Sequence, residues 1–438
     1  MTSGDRSSRA IDIAALVALK LAVGAWVLRL GFSHVSDDDF ARTVISQRFT
    51  HVPRLDPSGT SWLPLPFWVE GTIMMAAGRT LAVARATAIA LSAAAVSASY
   101  LAMRIVGAPR AVAFIGTATA MSLPWNAWLG VATVPEGWTG AVVGASAIAM
   151  ASDRARPWAA AGLLVASLSR YEAWPAAAVL VALSVARVAQ GGTTLRRELP
   201  TALLAAAGPL AWMAWNAHAH GSPLHFVSRV TAFRHAIGAA DLPLRDKLLG
   251  YPRVLAAETP EVLALGVAGV LGLALSARLR ARWRWAALAC AAIFAFLIVG
   301  DVRDGAPTHH PARALSPLWW VLAGMGVDAV GAAIVSREWG RKARVAVACA
   351  AFTVGASWCA SMPPRWADAP GLGAGERRDA QIARGLDLRD RGVQGADVTP
   401  CAFEHFALIA AWGEPERVRV GERSGGTTQG DCPRVVEW

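Results

Sequence analysis

The sequence predicts an all-α polytopic membrane protein: about eleven transmembrane helices, surface-lying helices in the first extracytoplasmic loop, and a small C-terminal extracytoplasmic α/β module. Three observations predict it. Hydrophobic residues make up 55% of the 438 and charged ones only 17%, whereas soluble domains are roughly a quarter charged. Apolar stretches near the ~20 residues that cross a bilayer recur with little separation. The formal net charge of +11 is almost all arginine, set in short clusters between those stretches. Clusters of that kind set topology and do not form the continuous basic face of a nucleic-acid groove, so nucleic acid is not an expected partner.

The apolar stretches lie near 11–30, 80–103, 111–130, 135–152, 157–169, 173–189, 199–216, 259–277, 284–300, 314–335 and 343–361. The fifth, "WAAAGLLVASLS", is short for a crossing. Ala and Gly are frequent in them, and small residues let membrane helices approach closely. The first stretch reads as a retained anchor, because it is longer than a leader's apolar core and no small-x-small site precedes the acids that follow. Asp12 lies at its end, and Lys20 is expected to face the bundle. Taken alternately, the clusters at Arg6 and Arg9, Arg104 and Arg110, Arg154 and Arg156, Arg187 to Arg197, Arg278 to Arg284, and "SREWGRKAR" fall on one side. That side is assigned to the cytoplasm of a bacterial-type inner or plasma membrane, with the N-terminus inside and the C-terminus outside.

The other side then collects the titratable residues. It carries Asp37, Asp38 and Asp39; Glu136 in "TVPEGW"; Arg170 and Glu172 in "SRYEAW"; a loop with His218, His220, His225, Arg229 and Arg234; and "DVRDGAPTHHPARAL" with His309, His310 and Arg313. Ionisable residues at membrane depth are rare and usually mark a site.

In their order and common side, these residues resemble the GT-C superfamily of multi-spanning glycosyltransferases, most nearly its protein O-mannosyltransferase and aminoarabinose-transferase branch. "DDDFARTVISQR" and "WLPLPFWVEGTIMMAAGR" match the surface helices of that family's first loop. "NAHAHGSPLHF" matches its Gly-x-Pro-aromatic loop start, and "HHPARALSPLWWVLAG" its Arg-bearing entry into a late span. The resemblance covers the layout of residues 11–361. It implies a catalytic domain over 1–362, with its first extracytoplasmic loop at 31–79, that takes a sugar from a polyprenyl-phosphate carrier with inversion. The acceptor would be a lipid, glycan or protein, and membrane lipids would surround the enzyme. No cofactor is implied beyond, at most, a divalent metal ion held by the aspartates and histidines. Many members carry Asp-Glu where this chain has Asp-Asp-Asp. The alternatives are an oligosaccharide ligase or polymerase of the same superfamily, or a transporter or flippase. A transporter is expected to show internal repeats and midplane charges.

The chemistry needs a base for the acceptor proton and cations for the leaving phosphate. Asp38 is the first candidate base, Asp37 the second and Asp39 the third; on a helix, successive residues diverge by ~100°, so only one or two can aim at one point. A helix cap is the plainer reading of "VSDDDF". Arg42, Arg229, Arg313 and His310 are candidates for the phosphate, together with Arg54 and Arg234, since arginine's planar fork suits phosphate oxygens. Glu136 and Glu172 are read either as sugar or acceptor contacts or as solvated loop charges, with Arg170 pairing one of them. Trp62 and Trp68 are interface anchors or sugar-stacking rings. The histidines do not supply a full set of zinc ligands.

From 363 to 438 the texture changes. "GERRDAQIARGLDLRDRG" reads as a charged helix, followed by a strand, a helix and a second strand. Cys401 and Cys432, in an oxidising compartment, are expected to form a disulfide.

Overall fold

The structure, a computed structural model, describes residues 3–236, 242–305, 310–335, 340–370, 377–422 and 433–438. Helix α1 (Ser3–Arg29) is long and apolar, and the two charges buried within it, Asp12 and Lys20, are answered. Asp12 accepts from Tyr100 Oη at 2.6 Å and from the Arg110 fork at 2.7 Å. Lys20 Nζ donates to the Asn126 carbonyl at 2.9 Å. Next come α2 (Asp38–His51) and α3 (Leu65–Ala77), packed on each other. They lead into α4 (Leu81–Ile105), capped by Thr80, whose hydroxyl accepts from the Val83 amide.

The third apolar stretch breaks into α5 (Arg110–Ser122) and α6 (Pro124–Leu129), because Pro124 has no N–H to continue the ladder. Then follow α7 (Glu136–Ala149), α8 (Arg156–Ser167), α9 (Ala173–Ala189), α10 (Leu195–His220), α11 (His225–Ala236) and α12 (Leu244–Glu258). Helix α13 (Pro260–Leu275) leaves α12 at a bend of 103°. The bundle ends with α14 (Ala277–Val302), α15 (Pro311–Ala314), α16 (Ser316–Val335) and α17 (Arg341–Ala367).

Each apolar stretch of the sequence folds as helix, but their lengths differ from the simple pattern. Among the described residues α1, α4, α14, α16 and α17 are long and apolar enough to cross a membrane, and the bent α12–α13 pair passes the same test as one unit. Helices α7, α8 and α9, at 14, 12 and 17 residues, fall short of the ~20 that a straight crossing takes. Length therefore counts five or six spans where the apolar pattern counts about eleven.

Helix α16 runs through the centre, against α5, α7, α13 and α14, with Trp319 and Trp320 fully buried. Small residues permit this: a Cβ at Gly140 would collide with Ser316, and one at Gly326 with the Leu265 backbone. Helix α17 continues to Ala367, past Pro363 and Pro364, because indoles tie its end to the bundle. Trp366 Nε1 donates to the Ser122 carbonyl at 2.9 Å, and Trp128 Nε1 to the Trp366 carbonyl at 3.0 Å.

The tail forms α18 (Asp379–Asp390), β1 (Ala396–Thr399), α19 (His405–Trp412), β2 (Val418–Val420) and β3 (Arg434–Glu437). Strand β1 is central, parallel to β2 and antiparallel to β3; the third strand was not expected from the sequence. The core of this unit is not its own alone. Phe40 and Val44 of α2 are buried in one cluster with Val398, Leu408, Ile409 and Trp412. Cys432 lies outside the described residues, so its bridge to Cys401 stays an expectation. Cys290, Cys349 and Cys359 are free.

Candidate active site

The first turn of α2 sends its three carboxylates to three places, as the ~100° step between helical residues requires. Asp39 turns inward and is 2% exposed. Its Oδ2 accepts from the Val35 and Ser36 amides at 3.1 and 3.3 Å, and its Oδ1 from the Thr133 amide at 2.8 Å. Both oxygens are thus used to pin the α1–α2 turn onto the loop before α7, and burial pushes this carboxyl above its ordinary range. Asp37 stands at the cap position of α2, with no side-chain hydrogen bond to the helix's first amides, and Asp39 holds the residues before the helix instead. Asp37 receives a fork from Arg378, Nε to Oδ1 at 2.8 Å and Nη2 to Oδ2 at 3.0 Å. Asp38 keeps 27% of its side chain exposed and meets Arg313 Nη1 at 3.2 Å.

Behind Asp38 runs an alternating chain of charges. Arg313 donates to Glu136 Oε1 from Nε at 2.9 Å and from Nη2 at 2.5 Å. Arg170 Nη1 reaches the same oxygen at 3.1 Å, while its Nη2 and Nε fork onto Glu172 at 2.6 and 3.1 Å. Glu136 and Glu172 are each 2% exposed, so neither is a solvated loop charge. Arg170 pairs with both, not with one. These side chains come from the starts of α7 and α9 and from α15, three connections that the helix order brings to one end of the bundle.

Arg42, one turn along α2 from Asp38, is 3% exposed. Its guanidinium lies 4.3 Å from the Trp62 ring centre and 5.6 Å from that of Phe67. Its Nε and Nη1 have no hydrogen-bond partner. Burial pulls its pKa down to about 10, so it stays charged at neutral pH. Glu70 on α3 is buried nearby, and burial raises its carboxyl to about 8. It is therefore largely protonated at pH 7 and does not neutralise Arg42.

A cavity of about 1010 Å³ opens over these groups, at the upper end of the range for ligand sites. Of the residues expected from the sequence, Asp37, Asp38, Arg42, Trp62, Arg170, Arg229, Arg234, His310 and Arg313 line it. Glu136 and Glu172 line a small crevice beneath, beside Arg170 and Arg313. Asp39 and Trp68 are not among its lining residues; the Trp68 indole donates to the Arg54 carbonyl at 3.2 Å. Sequence reasoning missed Arg378, Phe403 and Phe406, which reach the cavity from the tail. The charged run around Arg378 was the only signal for them. Among the described residues, the grouping able to hold a cation is His51, Glu414 and Glu416, at the far end of α2. Arg79 already pairs with both glutamates there, at 2.7 and 2.8 Å. His309 lies outside the described residues.

No family model matches the chain, and no curated protein matches it by sequence. Solved structures do match. ArnT from Cupriavidus metallidurans, bound to undecaprenyl phosphate, superposes with a TM-score of 0.55 over 94% of this chain and 89% of that one, at 14% identity. The oligosaccharyltransferase of Archaeoglobus fulgidus, in complex with zinc and sulfate, gives 0.51 at 14% identity over 85% of this chain and 55% of that one. At such identities the likeness is one of fold. The long apolar helices make the chain an integral membrane protein, and its architecture is the fold it shares with ArnT and with that oligosaccharyltransferase.

Proposed function

We propose that the protein is a glycosyltransferase that moves a sugar from a polyprenyl-phosphate carrier to an acceptor hydroxyl or amine at the extracytoplasmic membrane face. The carrying observation is that one large cavity holds an accessible carboxylate, Asp38, and a buried guanidinium with unused donors, Arg42. In this reading Asp38 takes the acceptor proton. The acceptor atom bonds to the anomeric carbon as the bond from that carbon to the carrier phosphate oxygen breaks, and the phosphate leaves with the electron pair. Arg42, with Arg229 at the rim, meets the charge that builds on it. Arg313 spends its other donors on Glu136 and Ser36, so it orients Asp38. Trp62 and the aromatic rings from the tail shape the wall along which sugar or lipid lies.

The reading includes the full set of about eleven crossings, with the shorter helices completing theirs alongside neighbours, the N-terminus in the cytoplasm and the tail outside. That places the cavity at the depth of a carrier headgroup. ArnT's capture of undecaprenyl phosphate supports the donor class. The test is transfer in membranes from labelled polyprenyl-phosphate sugars, offered one at a time, to wild type and Asp38→Asn. One donor is expected to serve the wild type, with transfer lost in the variant while protein level and carrier binding persist. No transfer from any carrier by the wild type would overturn the proposal.

A further inference from the structure

The C-terminal unit is built into the helix that carries the acidic triplet. The inner face of α2, Phe40 and Val44, belongs to the tail's core. Gln47 Nε2 donates to the Ala410 carbonyl at 2.9 Å, and His51 meets Glu416 at 2.9 Å. At the other end of α2 the tail returns Arg378, whose fork covers both oxygens of Asp37. The tail therefore holds α2 along its length and closes on the residue next to Asp38.

We infer that Arg378 is a positioning residue: by forking Asp37, which also lines the cavity, it commits that carboxylate to a structural pair and leaves its neighbour Asp38 to act as the base. The inference rests on the glycosyltransferase reading above and deepens it. Two adjacent carboxylates at a helix start repel when both are ionised, and each is free to rotate toward the same cations. The pair with Arg378 removes the competitor. Asp37 is then neither a second base nor a rival for Arg313. The other charged or titratable groups around Asp38 are Arg42, Asp39 and His34 from the α2 region, Glu136 from α7, Arg170 from the α8–α9 turn, and Arg313 and His310 around α15. Of these, none takes both oxygens of Asp37.

The experiment is steady-state transfer by the full-length protein, wild type against Arg378→Ala, Arg378→Lys and, as a control within the tail, Arg384→Ala. Arg384 pairs with Glu437 on the tail's outer surface. Arg378→Ala is expected to lower kcat on the order of 100-fold with little change in KM, as misplacement of a reacting group does. Its acid-side loss of activity should move to higher pH, because an unpaired Asp37 charge opposes ionisation beside it. Arg378→Lys should restore the pH limb and part of kcat, keeping the charge without the fork. Arg384→Ala should match wild type. If wild type transfers sugar and Arg378→Ala keeps both its kcat and its pH limb, the inference falls and the function stands. A loss of folded protein with unchanged kcat per folded molecule would also overturn it, since that is a purely structural role. If wild type transfers nothing, the functional reading falls and takes the inference with it.

Discussion

Arg313 and Glu136, 177 residues apart in the sequence, meet through two hydrogen bonds to one oxygen, with both side chains 1–2% exposed. That contact joins the start of α7 to α15 and continues outward to Asp38 and inward to Arg170. Removing one partner of a buried pair leaves the other charge without solvent or counter-ion, which costs more than the pair itself contributes.

Glu136→Gln should therefore destabilise the protein by about 3–5 kcal/mol, since Arg170 and Arg313 would face each other across a neutral amide. Thermal unfolding in detergent measures it. A midpoint equal to wild type would show that the two guanidiniums are hydrated and that the charge chain is not structural.

Asp38 and Asp39 should separate cleanly. Asp39→Asn loses acceptors for buried amides and should cost about 1–3 kcal/mol of stability, with transfer per folded molecule reduced far less than in Asp38→Asn. Parallel unfolding and rate measurements on both variants decide it. The reverse ranking of rates would move the base to Asp39.

Arg42→Lys keeps the charge but not the planar fork. Loss of one charge-assisted hydrogen bond is worth roughly 1.5–3 kcal/mol, so affinity for a polyprenyl phosphate should fall on the order of 10- to 100-fold. Titration calorimetry with the sugar-free carrier phosphate reads this directly. Unchanged affinity would place the phosphate elsewhere, Arg229 being the next position to substitute.

Glu70 supplies a pH prediction. Its carboxyl sits near 8 in the fold against about 4.3 in an unfolded chain. Between those values the folded state binds the extra proton, so stability falls as pH rises through that window and is flat on either side. The full effect is at most on the order of 5 kcal/mol. Glu70→Gln should remove the slope of melting temperature between pH 5 and 8. A wild-type profile already flat there would mean that the carboxyl is hydrated.

Much of the site was legible in the sequence because membrane segments restrict where charge can go. Asp38, Arg42, Arg170, Arg229, His310 and Arg313 stood out as ionisable groups in an otherwise apolar chain, and all of them line one cavity. The roles of Glu136 and Glu172 were not legible. A glutamate in a short turn looks the same whether water or two arginines surround it. Trp68 was read together with Trp62, but only Trp62 lines the cavity, while the Trp68 indole donates to the Arg54 carbonyl.

The sequence by itself determined the helical, membrane-embedded class, because apolar run length acts locally and adds along the chain. Only the tertiary structure decided which partner each carboxylate of the triplet takes. Asp37, Asp38 and Asp39 are identical in type and adjacent in order. Their partners, Arg378, Arg313 and the Thr133 amide, come from the tail, from α15 and from the loop before α7. Such a choice rests on contacts between residues about 90 to 340 positions apart, and no local pattern encodes it.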